Sequence, residues 1–300
     1  MVYNSRRDYD KADALYAAVI YRRKISMKKL CMTAVACLLI LSLLAPVSIP
    51  AAAAEKTQAA ENSQTVESLA GTESQQAADV AAGKNTKKKK KKKTIFIAAG
   101  HQERGISSRE RLAPGSSATK AKLTSGTTGV STGIPEYKTN LAIAKATKKA
   151  LKKAGYNVVM LRTTNKCPLS NQQRTKKANK SGANLHICIH CNAGASSAKG
   201  PLVIVPASSR YVGKKIYDKS CRLGSNLLSA VTKSTGKKSH GTIRSNYYTT
   251  INWAEIPTVI LECGFMSNPS EDRQLNSASY QKKIAKGIVK GVNKYFKNKY

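Results

Sequence analysis

The sequence is poor in acidic residues. Against 52 lysines and arginines it has only 16 aspartates and glutamates, so the 300-residue chain carries a formal net charge of +36 at pH 7. The imbalance persists from Thr94 onward, where 35 basic residues face 8 acidic ones, a net charge of +27 (35 − 8). So large an excess predicts an anionic partner or surface. Charge alone does not separate nucleic acid, anionic lipid and an anionic cell-wall polymer.

Aromatic residues and cysteines are also scarce. Aromatic side chains make up 6% of the chain, and neither a stacking platform nor a reading helix for nucleic acid is visible. Two of the seven cysteines lie in an N-terminal apolar run. The remaining five are an odd number, so they imply no complete disulfide framework. The sequence shows no internal repeats.

The N-terminal region has the order of a secretory signal. Met27-Lys28-Lys29-Leu30 is basic, residues 31–47 are almost wholly apolar, and four alanines end at Ala54. This order predicts a signal peptide region 1–54 that is cleaved after Ala54, and the apolar core is short for a membrane span. The alternative is an uncleaved signal anchor. Met27 is a candidate for the real start. We therefore expect a secreted protein with no membrane attachment after cleavage and no nucleic-acid partner.

Residues 55–93 have the composition of a disordered linker, rich in Ala, Gln, Glu, Ser and Thr. Lys87–Lys93 is an unbroken lysine run. It is either a solvated tail or an electrostatic tether to an anionic polymer, and the sequence leaves both interpretations open.

Residues 94–300 alternate between strand and helix patterns. Strands are predicted at 95–99, 157–161, 185–190, 202–205 and 258–261, and helices at 137–154, 170–181, 214–235 and 280–296. Residues 102–134 are expected to form a long polar loop. The alternation predicts a single α/β domain with a twisted, largely parallel sheet that is flanked by helices on both faces.

The chain has four histidines, and two of them end apolar strands. His101 follows the first strand and His190 ends the third. Ligands collect beyond the carboxyl ends of parallel strands, so this pair favours one metal site. We expect His186 to pack in the core and His240 to be exposed.

A zinc hydrolase has three protein ligands, so a carboxylate is needed beside the histidines. Glu262 ends an apolar strand, where an unpaired carboxylate is costly. Glu136 opens the first helix, where it could serve only as an N-terminal acid that the helix dipole favours. The remaining acids considered occur in contexts that predict exposure: Glu103, Glu110, Asp218, Glu271 and Asp272.

Cys188-Ile189-His190-Cys191 also matches C-x-x-C, which can be redox-active or bind zinc through thiolates. It lies within a strand, its two cysteines have opposite parity, and there is no second C-x-x-C. We therefore assign these thiols no function.

Four segments together resemble the zinc-dependent N-acetylmuramoyl-L-alanine amidases of the amidase-3 type. They are Gly100-His101, Glu136 with Asn140-Leu141, residues 187–193, and residues 257–268, in which an apolar strand is followed by Glu262, Gly264-Phe265 and Ser267-Asn268. Further matches are Leu161-Arg162, Leu169 with Arg174, Ala178-Asn179, and residues 271–275. The resemblance covers residues 95–296.

The resemblance implies that His101, Glu136 and His190 bind Zn²⁺ and that Glu262 is the catalytic acid and base. It implies a peptidoglycan hydrolase, or autolysin, that cleaves the amide between N-acetylmuramic acid and L-alanine. The N-terminal signal region predicts that this hydrolase is secreted, and the basic surface suits anionic cell-wall polymers as further partners. Ala98-Ala99 replace an Asp-containing pair that is common in the family, and residues 102–134 are longer than usual. The alternative is a non-catalytic wall-binding protein that retains the fold.

Overall fold

The computed structural model describes Lys92–Lys297. The predicted signal region 1–54, and the predicted linker 55–93 apart from its last two residues, lie outside the described residues. Between Lys92 and Lys297, no helix is long and apolar enough to cross a membrane.

The elements alternate as predicted, with several short additions. In chain order they are β1 (Thr94–Ala99), β2 (Ile106–Arg111), β3 (Thr119–Leu123), α1 (Glu136–Lys153), β4 (Asn157–Met160), α2 (Asn171–Asn179), β5 (Leu185–Asn192), β6 (Leu202–Val205), α3 (Gly213–Thr235), β7 (Gly241–Arg244), α4 (Thr249–Asn252), β8 (Thr258–Phe265), α5 (Pro269–Leu275) and α6 (Ala278–Lys297).

Six strands form one sheet in the order β4-β1-β5-β8-β6-β7. The pairs β4–β1, β1–β5, β5–β8 and β6–β7 are parallel, and only β6–β8 is antiparallel. This confirms the predicted largely parallel sheet.

The strands bury both faces, which is why they read as nearly continuous apolar runs. On one face, alternate residues such as Ile97, Ile187 and Val259 pack against α1, α3 and α6. On the other face, Cys188 and Ile260 pack with residues of α2 and α4. Helices therefore cover both faces of the sheet, as predicted.

The prediction that residues 102–134 form one long loop was wrong in part. They contain the antiparallel hairpin β2–β3. The side chains of β2 are mostly exposed and polar, with only Glu110 fully buried, so β2 lacks the apolar alternation that marks a half-buried strand. The short elements β7, α4 and α5 were also missed.

Candidate metal centre

His101 and His190 meet at the carboxyl edge of the sheet because β1 and β5 are parallel neighbours. Ala99 pairs with Ile189, and the Gly100 amide donates to the Ile189 carbonyl at 2.8 Å. The two imidazole rings lie edge to face, with centroids 4.7 Å apart. The predicted pairing of the two histidines is therefore present in the structure.

The backbone of His101 turns sharply where it leaves β1. Its φ of 56° is the only positive φ of a non-glycine residue between Lys92 and Lys297, and such conformations concentrate at functional sites. The guanidinium of Arg174 donates to the His101 carbonyl at 3.0 Å. The ring Nδ1 lies 2.7 Å from the Thr124 carbonyl, which can only accept. Nδ1 is therefore protonated, and Nε2 faces Glu136.

Glu136 joins the two imidazoles. It is the first residue of α1, and its carboxylate lies 3.2 Å from His101 Nε2 and 3.1 Å from His190 Nδ1. Three N–H groups also donate to it: the Thr127 amide, the Cys191 amide and the Asn140 side chain, at 3.1, 3.2 and 2.9 Å. Glu136 thus combines both sequence interpretations, because it opens the helix and also lies between the histidines.

The electrostatics of this cluster favour a charged carboxylate. Burial by itself raises the pKa of Glu136, but the adjacent His101 and His190 outweigh burial and hold the pKa well below its ordinary value. Burial by itself lowers the pKa of His101. The adjacent Glu136 carboxylate more than offsets burial, so the pKa of His101 is raised above its ordinary value. For His190 burial dominates and the pKa is lowered, which favours the neutral imidazole that binds metals.

Two glycines leave the space that the cluster occupies. A Cβ on Gly100 would lie 2.5 Å from His190 Nδ1. A Cβ on Gly126 would lie 2.6 Å from the Glu136 carboxylate, and the φ of Gly126 is +85°. Side chains at these positions would collide with the ligand atoms, so the glycines are part of the site.

Glu262 lies beside this cluster. It is the register partner of His190 across β5 and β8, so the two side chains project from the same face of the sheet. Its Oε2 is buried and has no hydrogen-bond partner. Burial, with a smaller contribution from the charge on Glu136, raises the pKa of Glu262 well above its ordinary value. A carboxyl group with a raised pKa can take up and return a proton near neutral pH.

Two buried arginines hold the loops behind the histidines. Arg162 donates to the carbonyls of Ala99 and Gly100 at 3.0 and 2.9 Å. Arg174 donates to the carbonyls of Leu169 and Cys167 as well as to that of His101. From the sequence, both arginines are recognisable only as matches to a family pattern. The structure shows that they hold the backbone carbonyls from Ala99 to His101 in place.

The prediction that Glu110, Glu271 and Asp272 are exposed was wrong, since all three are buried. Asp272 accepts from the Ser131 and Thr132 amides at 2.8 and 2.7 Å, which anchors the loop that leads to Glu136. The other two carboxylates also accept backbone amides, Glu271 from Gly200 and Phe265 and Glu110 from Gln172. Except for Phe265, which is six residues from Glu271, these partners are more than 60 residues away in sequence, so no local pattern could have revealed them.

The remaining expectations for histidines and cysteines agree with the structure. His186 is fully buried, which lowers its pKa to about 3, and His240 is exposed. Cys188 and Cys191 lie on opposite faces of the sheet, in different core clusters. Burial raises the pKa of each thiol, which argues against thiol chemistry.

The three ligand candidates fit a metal ion. His101, Glu136 and His190 can each direct one donor atom into a cluster whose atoms lie within 4.8 Å of one another, and no other such group occurs among the described residues. Two histidines and one carboxylate form a donor set used by catalytic zinc sites. The protonated Nδ1 of His101 supports this assignment, because a metal-binding imidazole generally donates its other N–H to an oxygen.

Comparisons with known proteins point to one family of enzymes. A family model described as N-acetylmuramoyl-L-alanine amidase matches residues 95–294. The uncharacterized protein YqiI of Bacillus subtilis is 33% identical over 167 residues, which are 56% of this chain and 77% of that protein. The N-acetylmuramoyl-L-alanine amidase LytC of B. subtilis is 29% identical over 170 residues, but they span only 32% of its length. The crystal structure of the amidase Ami1 from Mycobacterium smegmatis has a TM-score of 0.63 at 22% identity and covers 69% of this chain and 98% of that one.

Proposed function

Because this chain belongs to the Amidase_3 family of N-acetylmuramoyl-L-alanine amidases, we propose that it hydrolyses the amide between N-acetylmuramic acid and the L-alanine of the peptidoglycan stem peptide, with zinc as its metal. The observation that carries the proposal is the cluster of His101, Glu136 and His190 with Glu262 beside it. A degenerate wall-binding relative would be expected to have lost at least one of these four side chains.

His101, Glu136 and His190 would hold the zinc ion. When bound, the ion would polarise the scissile carbonyl and activate a water molecule. The chain prepares this site through contacts that do not involve the metal. The Thr124 carbonyl orients His101, and three N–H donors fix the Glu136 carboxylate. Preorganised ligands of this kind reduce the cost of binding the ion.

Glu262 would transfer the proton. In its charged form it accepts a proton from the attacking water, and in its neutral form it returns that proton to the nitrogen of the leaving L-alanine. Both forms must be accessible, and burial raises the pKa of Glu262, which favours its neutral form more than in an ordinary glutamate. Its unpartnered Oε2 leaves one oxygen free to face the water.

The proposal extends to where the protein acts. Peptidoglycan lies outside the cytoplasmic membrane, so the predicted signal region 1–54 fits this substrate. The run Lys87–Lys93 would help to retain the enzyme at anionic wall polymers. Deleting it is expected to weaken wall retention at low salt, where exposed charges are least screened. Unchanged retention would count against this part of the proposal.

A gel that contains purified peptidoglycan tests the activity. The wild-type chain should clear the gel and release new N-terminal alanine, and a chelator should abolish both effects. Glu262→Gln should reduce the rate by about 10²- to 10⁴-fold, the range for loss of a general acid or base. Glu255→Gln is the matched control, because Glu255 is an exposed glutamate outside this site. Clearing that survives both chelation and Glu262→Gln would refute the proposal.

A further inference from the structure

The three helices on one side of the sheet carry an almost purely cationic outer surface. Five lysines of α1, three of α3 and six of α6 are exposed, and the only exposed acid on these helices is Asp218. Asp218 lies 2.8 Å from Lys214, to which it is paired. The other thirteen exposed lysines make no ion pair with any described carboxylate.

This surface follows from where the domain places its acids. Of the eight acidic residues that the structure describes, only Glu103, Asp218 and Glu255 are exposed. The others are at least half-buried at the metal centre or accept loop amides, so they cannot neutralise lysines on the far side of the sheet. The charge of the helical layer is therefore uncompensated within the described chain, and an external polyanion would relieve its self-repulsion.

The lysines of α6 form a regular row. Lys282, Lys286, Lys290 and Lys294 are four residues apart and share one face of the helix. At 1.5 Å per residue, neighbours in this row are about 6 Å apart along the axis and the row is about 18 Å long. A linear polymer with a charge on each repeat could contact several of them at once.

The helices that carry these lysines are packed closely. A Cβ on Gly287 would lie 2.7 Å from the Val231 backbone, and one on Gly291 would lie 2.8 Å from the Leu227 backbone. The absence of side chains at these two glycines lets α6 approach α3. The ammonium groups of both helices therefore project from one continuous layer.

The layer lies on the opposite side of the sheet from the cleft beside the histidines. The helices pack on the face that contains Ile97 and Ile187. The cavity next to His101 and His190 is lined by Ala98 and Cys188 of the other face. A polymer bound to the helices would thus leave the cleft accessible.

We infer that the outer face of α1, α3 and α6 binds a linear polyphosphodiester of the cell wall. The described residues argue against the alternative partners of such a surface. None of the exposed large hydrophobic side chains lies on these helices, whereas insertion into a lipid surface needs an apolar face. No aromatic residue on them is exposed either, so the layer offers no base-stacking platform. This inference concerns binding and does not depend on the proposed catalysis.

The test uses the full chain with Glu262→Gln, so that walls are not digested during the measurement. One variant adds Lys282→Gln, Lys286→Gln, Lys290→Gln and Lys294→Gln. Its control adds four neutralised exposed lysines that lie outside the three helices: Lys166, Lys177, Lys180 and Lys199. Both variants lose four charges and keep the lysine run, so only the location of the lost charges differs. Binding is measured to walls with their phosphodiester polymer intact and to walls from which acid has removed it.

At low salt the α6 variant should bind intact walls at least about tenfold more weakly than the parent. Its binding should also depend less steeply on salt concentration, because fewer lysine–phosphate contacts release fewer counterions. The control should stay within about threefold. Removing the polymer should lower parent binding at least to the level of the α6 variant on intact walls, because the lysine run loses its polyanion as well. Equal losses in both variants, unchanged binding to stripped walls, or stronger competition by anionic lipid vesicles or duplex DNA than by the free wall polymer would each overturn the inference.

A separate readout distinguishes this inference from the proposed activity. With Glu262 restored, the α6 variant should hydrolyse a soluble muropeptide that lacks the polymer at the wild-type rate. Loss of that hydrolysis would show that the substitutions disturb the catalytic side, and the binding result would then not support a separate surface.

Discussion

Gly100→Ala tests whether the position of His190 determines metal binding. Gly100 has no positive φ that would strain an alanine, so the effect of the substitution is steric. The added Cβ would lie 2.2 Å from His190 Cε1 and 2.5 Å from its Nδ1, whereas ordinary contact begins at 3.4 Å. The ring or the end of β1 must therefore move by at least 1.2 Å (3.4 − 2.2). The same Nδ1 lies 3.1 Å from Glu136.

A displacement of this size should be costly for both binding and rate. Misplacing a catalytic group by about 1 Å can reduce a rate by about 10²-fold, or about 2.7 kcal/mol. Disturbing the groups that orient a metal-binding side chain commonly weakens metal affinity by about 10- to 100-fold. Overpacking should also lower the free energy of unfolding by about 1–3 kcal/mol. We expect Gly100→Ala to show all three effects, with the rate loss persisting at saturating zinc.

The assay measures zinc affinity by competition with a chromophoric chelator, release of N-terminal alanine, and urea denaturation. Gly194→Ala is the matched control, because its Cβ would meet Phe265 at an ordinary 3.5 Å and Gly194 also has no positive φ. It should stay within about twofold of wild type. If Gly100→Ala also keeps wild-type zinc affinity and rate, the geometric reasoning about His190 is wrong.

Three further predictions follow from buried polar groups. His186 has a folded-state pKa of about 3, below its unfolded value, so its neutral form contributes stability that is lost as pH falls from about 6.5 toward 3. In urea denaturation without metal, the free energy of unfolding of His186→Leu should fall less steeply over this pH range than that of wild type, by up to about 1.4 kcal/mol per pH unit. An unchanged slope would contradict this. Asp272→Asn should cost about 2–4 kcal/mol of stability and weaken zinc binding, since the carboxylate anchors the loop before Glu136. Asp218→Asn is its control and should leave the free energy of unfolding almost unchanged, because its ion pair with Lys214 is exposed to solvent. Glu262→Gln should retain zinc while losing activity, and loss of the metal would make Glu262 a ligand instead.

The fold could be predicted from the sequence because its strands are buried on both faces and its helices are amphipathic. Ile95–Ala99 and Val259–Leu261 read as strands without reference to any partner. The hairpin β2–β3 could not be predicted this way, because its contacts with the rest of the domain come from residues that are distant in sequence. The Asn252 side chain donates to the Leu112 carbonyl, and the Trp253 indole donates to the Arg111 carbonyl.

The sequence predicts the site residues that lie in unusual local contexts, such as polar side chains at the ends of apolar strands. It does not predict the residues that hold the site in place through contacts with distant backbone groups. Glu262 stood out as a carboxylate at the end of an apolar strand, and His101 and His190 stood out as histidines at two strand ends; the structure brings all three together. No local pattern indicates that Asp272 is buried, because two of its donors are the backbone amides of Ser131 and Thr132, which any residue could supply. The role of Arg174 was hidden for the same reason, since its acceptors are carbonyls.

The long segment between His101 and Glu136 contributes to the candidate metal centre. Its Thr124 carbonyl sets the tautomer of His101, and its Gly126 leaves room for the Glu136 carboxylate. The hairpin within it is docked on Asn252 and Trp253. Any change in its length must therefore keep the stretch from Thr124 to Glu136 in place. A role of this segment in substrate choice would have to come from residues before Thr124, because the returning stretch orients His101 and makes room for Glu136.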